Sequence, residues 1–372
     1  MNDTFDFESQ RDQLALLCQR LHKFNDTATA MSNVESALQR MQLCRKHDVF
    51  KWFTSSEYGG FGWSTDEIMH GYLEISAACL STAFILTQRH GAVSRITGSD
   101  NESIKRDLLP KLSNGQTFCS VGISHLTTSH RHLGKPVLTA KKCDGGYILD
   151  GFSPWVTGIS LADSVVVGAT VVDESEKDRL EPSATDDEIL ILVETNRTGV
   201  TRPETPELVA LSDSCTGEVR FDNVFVGDES LLGGPIPRIM LQGKGGNTGG
   251  LQTSTLALGL SDAAITFLEE QSSQRNEFEN PATSLRAQYN IAKTKIFALA
   301  NGIETCTNQE IRATVNSLVL RSTQAAMMAA KGAGYRADHR IGRWCKEALF
   351  FLVWSCPQPV AETNLCELAQ IS

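Results

Sequence analysis

Apolar residues in the first third of the chain recur at intervals of three and four. In QRDQLALLCQRLHKF, Leu14, Leu17 and Leu21 make one stripe, the spacing of an amphipathic helix. In STDEIMHGYLEISAACLSTAFILTQRHGAV, Ser64 stands just before the helical run with Glu67 three residues on, which predicts a capping box. SIKRDLLPKLSNGQ predicts a short helix that stops at Asn114-Gly115, and the glycine turn EYGGFG separates two of these elements. From about residue 119 the period changes to two. PVLTAKK, GYILDGF, DSVVVGATVV, EILILVET and GEVRFDNVFV are short β-branched runs divided by Gly, Asp and Pro, the pattern of a small antiparallel β-domain. The charged stretch DESEKDRLEPSATDDE between two of them predicts a long exposed loop.

After the glycine-rich LQGKGGNTGG the helical period returns and stays. LQTSTLALGLSDAAITFLEEQSSQR, SLRAQYNIAKTKIFALANGIE and ATVNSLVLRSTQAAMMAAKG are long and poor in breakers, and a shorter helix starts near Arg343. Four such helices predict a bundle. The chain thus divides into a helical domain over 1–118, a β-domain over 119–229 and a helical bundle over 230–372, an α+β arrangement. It shows no βαβ alternation and no GxGxxG after a strand, which argues against a Rossmann cofactor site.

Composition narrows the partners. The 372 residues carry a net charge of −10, which disfavours nucleic-acid binding through a basic face. No apolar stretch reaches the ~18 residues that span a bilayer, and the acidic start MNDTFDFESQRDQ has no secretory apolar region. None of the ten cysteines forms CxxC and most sit among apolar residues, so a reduced, cytoplasmic setting is expected. SHLTTSHRH places His125, His130 and His132 close together. Without matching Cys or carboxylate spacing it reads as a polar loop and no metal site is expected.

Five segments, in order and at matching spacing, resemble the acyl-CoA dehydrogenase superfamily of FAD enzymes over about Glu57 to Trp354. SSEYGGFGWS is similar to that family's Pro-Glu-Glu-Tyr-Gly-Gly-x-Gly turn, and LLPKLSNGQTFCSVGIS to its lead into the β-domain. GGYILDGFSPWVTGISLADSVVVGA resembles its Asn-Gly-x-Lys-x-Trp-Ile-Thr strand pair. SSQRNEFENP and GAGYRADHRIGRWCKEA resemble its Arg-x-x-Phe-Gly-x-Pro and its Gly-x-Gly-Tyr … Arg-x-x-Arg-Asp-Ala. The resemblance implies a helical N-terminal domain, a middle antiparallel β-barrel and a C-terminal four-helix bundle. It implies that Trp155 lies beside the flavin ring and that Thr157 bonds the flavin near N5, with Ser124 and His125 at further flavin contacts. It places Arg275 on the FAD pyrophosphate of a neighbouring subunit and Gly332 and Gly334 near its adenine. A homodimer or homotetramer follows.

The sequence departs from the family where a proton must move. Counted from Gly332, the family's catalytic Glu in Tyr-Glu-Gly-Thr falls on Ser355, within FLVWSCPQPV. The alternative Glu position, on an earlier helix beside an Arg, falls on Gly249, with the Arg on Gly250. Dehydrogenation removes an α-proton as a β-hydride leaves, and serine without a partner base cannot take that proton. Cys356 has no neighbouring cation in sequence to activate it and reads as inert. The resulting expectation is an FAD oxidoreductase acting on an acyl thioester or related acyl compound, with an electron-transfer flavoprotein or oxygen as acceptor. A flavin monooxygenase on the same scaffold is the alternative, because it needs no carboxylate base. A degenerate, non-catalytic homologue is the third reading, opposed by retention of Trp155, Thr157 and Arg275.

Overall fold

Five helices open the chain in the computed structural model, which describes residues 7–27, 31–127, 136–172, 186–242 and 250–371. They are α1 (Phe7–Thr27), α2 (Asn33–Lys46), α3 (Thr65–Ala78), α4 (Leu80–Thr97) and α5 (Glu102–Ser113). The Ser64–Glu67 capping box forms in both directions, so the polar pair closes two of the free N–H groups at the start of α3. The single helical pattern that follows is broken at Cys79, whose extended backbone separates α3 from α4. α5 ends at Asn114, and Gly115 supplies the left-handed conformation (φ +69°) that turns the chain away. His130, His132, Gly249 and most of the charged loop after β4 lie outside the described residues.

The middle of the chain holds β1 (Cys119–Gly122), the one-turn helix α6 (Ser124–Thr127), and β2 (Leu138–Cys143) to β4, with β3 over Gly146–Val156 and β4 over Ser164–Val171. β5 (Asp187–Glu194), β6 (Val200–Thr201), β7 (Gly217–Gly227) and β8 (Leu231–Pro237) complete one eight-stranded sheet. Its order is β6-β7-β3-β2-β4-β5-β8. β4 pairs antiparallel with β5 on one edge and parallel with β1 and then β2 on the other. The expected antiparallel sheet is therefore mixed at β4. The reason is that β1 enters from the helical domain and α4 packs on it, so β1 must run alongside β4 rather than fold back on it. β8 lies past residue 229, where the sequence places the end of the β-domain. Its LLGGPIP run has the glycines and prolines of a loop, which an edge strand tolerates because one side of its backbone needs no partner.

The last third forms α7 (Leu251–Ser272), α8 (Glu279–Ala300), α9 (Asn308–Gly334) and α10 (Arg340–Phe350), the four expected helices, followed by α11 (Gln358–Ala369). The sequence pattern did not predict α11, because Pro357 and Pro359 read as a stop. Pro357 is its N-cap, a place where a proline's missing N–H costs nothing. No helix among the described residues is long and apolar enough to cross a membrane.

α4 lies where the layers meet and packs on α3, α5, α7 and β1. Its His90 stacks on Phe53 at 4.6 Å and has Nδ1 3.1 Å from Tyr72 Oη. Burial, then Arg89 and Arg95, lower its pKa to about 4. An unfolded histidine takes its proton near pH 6.5. The unfolded chain therefore binds more protons between these values, and the stability His90 gives is full above about pH 6.5 and lost as pH falls toward 4. Glu347 titrates in the opposite sense, since burial raises its carboxyl to about 7 and its contribution is lost as pH rises through that value. Comparing variants separates the two. The stability difference between wild type and His90→Gln in urea should shrink by about 2 kcal/mol from about pH 7 to about pH 5. A difference that stays constant would show that His90 is as basic folded as unfolded.

Candidate functional site

α4 carries Phe84, Thr87, Gln88, Gly91 and Arg95 at helical spacing on one face, and that face forms a wall of a cavity of about 570 Å³. The opposite wall comes from α10, where Lys346, Leu349 and Phe350 follow the same spacing and Val353 and Trp354 extend it. Ser124, Trp155, Thr157 and Ser355, which lie far apart in sequence, all line this one space.

Each is placed by a local cause. β3 loses register with β7 between Ser153 and Val156, and the irregularity turns Trp155 outward, 47% exposed, while Val156 stays in the core. Thr157 is buried at the end of a hydroxyl chain: Ser214 Oγ is 2.7 Å from Thr216 Oγ1, which donates to Thr157 Oγ1 at 3.0 Å. With its oxygen accepting that bond, Thr157 keeps its own proton to donate into the cavity. The Ser212–Ser214 turn behind the chain is fixed by Asp213, which pairs with Arg40 of α2 and accepts from Ser81 Oγ at 2.6 Å. Burial alone would raise the Asp213 carboxyl, but Arg40 and Ser81 outweigh it and hold the pKa below the usual range.

α6 splits its residues between two surfaces. Ser124 and Thr127, three apart, face the cavity, and Ser124 Oγ is buried with no hydrogen-bond partner among the described residues. His125 and Leu126 face the sheet instead, with His125 Nε2 2.7 Å from the carbonyl oxygen of Gly168. The His125 ring, expected at a flavin contact, therefore lies on the sheet side rather than on the cavity, because a one-turn helix cannot point neighbouring side chains the same way.

The stretch around Ser355 is a turn between two helices. α10 ends at Phe350, and Arg312 and Asn316 of α9 reach the freed carbonyls. Arg312 Nη2 donates to Trp354 O at 2.9 Å, and Asn316 Nδ2 to Phe351 O at 3.0 Å. Ser355 then takes φ +44°, and its side chain borders the cavity next to Trp354. Trp354 stacks on Phe350 at 5.2 Å and meets Phe84 edge-on at 4.6 Å. That wall is aromatic and holds no carboxylate. Burial raises the Cys356 thiol, with Arg312 opposing, so it stays protonated at neutral pH.

Arg275 and the residues near Gly332 come together elsewhere. Arg275 Nη2 bonds Gln271 Oε1 at 2.6 Å and Ala329 O at 2.7 Å, and its guanidinium lies 4.5 Å from the Phe278 ring centre. Gly332 is exposed, and a Cβ there would touch nothing among the described residues. Neither lines the cavity. Gly250 is the N-cap of α7 and does line it. The sequence reading missed Arg95, Lys346 and Gln252. The available signal was Arg95 itself, a charge on the buried face of an otherwise apolar helix.

No protein-family model matches the chain. It is 26% identical over 251 residues to an acyl-CoA dehydrogenase of Bacillus subtilis (strain 168), a match covering 66% of this chain and 63% of that relative, under two thirds of the relative's length. The fold superposes on butyryl-CoA dehydrogenase from Megasphaera elsdenii with a TM-score of 0.77 at 19% identity, covering 99% of both chains. It also superposes on the dibenzothiophene monooxygenase TdsC from Paenibacillus sp. A11-2 with a TM-score of 0.74 at 15% identity, covering 97% of both.

Proposed function

We propose that this chain, which resembles the acyl-CoA dehydrogenase superfamily in sequence and fold, is a member of it and an FAD-dependent oxidoreductase acting on an acyl thioester or a related activated acyl compound. The observation that carries this reading is the meeting of Trp155, Thr157 and Ser124 on one cavity. The residues fit a flavin ring: an exposed indole to cover it, a hydroxyl whose oxygen already accepts so that its proton can donate, and a buried hydroxyl without a partner among the described residues. A bound flavin would supply hydride acceptance at its N5. The chain's own part is to lay the ring against Trp155, to donate from Thr157, and to keep water from the apolar space between Phe84, Phe350 and Trp354. Arg275 and Gly332 sit outside the cavity, so their proposed role on the dinucleotide requires a second copy of the chain, a homodimer or homotetramer.

A second reading has an observation of its own. Among the described residues the cavity lining contains no Asp, Glu or His. A reaction with oxygen as co-substrate, as in a flavin monooxygenase, needs no carboxylate base, whereas dehydrogenation does. Oxygen or an electron-transfer flavoprotein would be the acceptor in the two cases.

Titration of the flavin-free protein with FAD and with FMN tests the common part of both readings. About one flavin per chain should bind, with quenched flavin fluorescence and a shifted absorption band. Trp155→Ala should weaken binding by about 1 kcal/mol. No quenching and no shift with either flavin would refute the proposal.

A further inference from the structure

The described lining of the cavity is positively charged in a chain whose net charge is −10. Its described lining holds two cations, Arg95 and Lys346, and no carboxylate. Lys346 is exposed, whereas Arg95 is only 6% exposed. A buried guanidinium is normally matched by a carboxylate or by several carbonyls, because an unmatched buried charge is costly. Arg95 has one such bond, from Nη1 to the carbonyl oxygen of Gly91 at 2.8 Å, and its Nε has no partner among the described residues. Burial lowers its pKa to about 10, with no carboxylate opposing, so it remains charged at neutral pH. Space is kept for it: a Cβ on Gly91 would stand 3.4 Å from Arg95 Nη1 and 3.3 Å from Val121 Cγ1. The other buried arginines of the helical domain differ. Arg40 pairs with Asp213, and Arg89 bonds the Leu112 carbonyl and lies 3.9 Å from the Phe50 ring centre, and neither lines the cavity.

We propose that the Arg95 end of the cavity is an anion subsite that receives a carboxylate carried by the acyl ligand, so that the protein takes acyl compounds with a second negative charge. The inference rests on the acyl reading above. The shared chemistry is an anionic oxygen on a guanidinium, which a flavin phosphate could also supply, and the test separates the two sources.

Calorimetric titration of the full-length protein as purified would compare adipate with hexanoate, and adipoyl-CoA with hexanoyl-CoA. Each pair has equal chain length and differs by one terminal carboxylate. The wild type should prefer the dicarboxylic member by about 10- to 100-fold, the worth of a charge-assisted hydrogen bond. Arg95→Gln should abolish the preference and Arg95→Lys should keep part of it. Equal binding by the wild type, binding of neither pair, or a preference that survives Arg95→Gln would overturn the proposal. So would a loss of FAD affinity in Arg95→Gln with the preference intact, which assigns the cation to a cofactor phosphate. The wild-type comparison stands even if the variants do not fold. Flavin content, read from absorbance in the same samples, reports separately on the flavin reading, and a preference seen only with the free acids would keep the subsite while removing the thioester.

Discussion

Arg40→Met should lower the unfolding free energy by about 3–5 kcal/mol, the cost of removing one partner of a buried ion pair. Arg40 is 1% exposed and gives Asp213 both a side-chain contact and a 2.8 Å bond to its backbone carbonyl. Without it the Asp213 carboxylate keeps the Ser81 hydroxyl as its side-chain donor among the described residues, in a setting where burial favours protonation. Asp213 retains 29% exposure, so solvent relieves part of the loss and the lower end of the range is expected. The effect should also reach the cavity. The turn that Asp213 anchors accepts the Gly158 N–H on Ser214 O at 2.9 Å and carries the hydroxyl chain to Thr157. Urea unfolding of Arg40→Met, Asp213→Asn and the double variant is the measurement. The double variant should be less destabilised than the sum of the singles, because both remove the same pair. Additive losses, or a loss below about 1 kcal/mol in Arg40→Met, would show that the pair does not hold this turn.

Ser355→Glu has the largest expected effect on activity. The wild type should reduce its flavin very slowly with saturated acyl-CoAs, since the described lining offers no group to accept the α-proton. A carboxylate at position 355 would border the same space, and general-base catalysis typically supplies about 10²–10⁴ in rate. The backbone there is already left-handed, at φ +44°. A longer, more flexible side chain in that conformation is held less firmly, so a gain near the lower bound, about 10²-fold, is expected. The apolar wall of Trp354 and Phe350 should raise the new carboxyl's pKa, because burial disfavours its charged form. The gain should therefore increase as pH rises and the group ionises. Anaerobic mixing with acyl-CoAs of several chain lengths, followed as bleaching of the flavin band, measures it. Fast bleaching in the wild type would mean that another residue is the base.

What could be read along the chain was whatever depends on neighbours in sequence. The Ser64–Glu67 cap, the stop at Asn114-Gly115, the strand runs and the order of helices, strands and helices are all set by spacing and local backbone preference, and the structure has them. The family resemblance followed from short motifs at fixed separations. Trp155 and Thr157 could be marked for the same reason, since their own strand end fixes their relation.

Other features were decided only when distant segments packed. His125 and Ser124 are adjacent in sequence, yet one faces Gly168 and the other the cavity, because only the docking of α6 on β4 chooses which side is buried. The parallel run of β1 and β2 beside β4, the strand β8 made of glycines and prolines, and helix α11 beyond two prolines depend on what stands next to them in space. Arg95 shows the division most sharply. As a letter in a helix it is an ordinary charged residue. Its meaning comes from a buried position beside Gly91 and a cavity whose described lining has no carboxylate, and burial and charge pairing are properties of the assembled core rather than of any one segment. The residue types and periods of the sequence determine the helices, the strands and the motif positions of this protein, because those obey short-range geometry. Which polar groups end up dry, unpaired and aimed at a ligand is decided by tertiary packing, because desolvation depends on every element that closes over them.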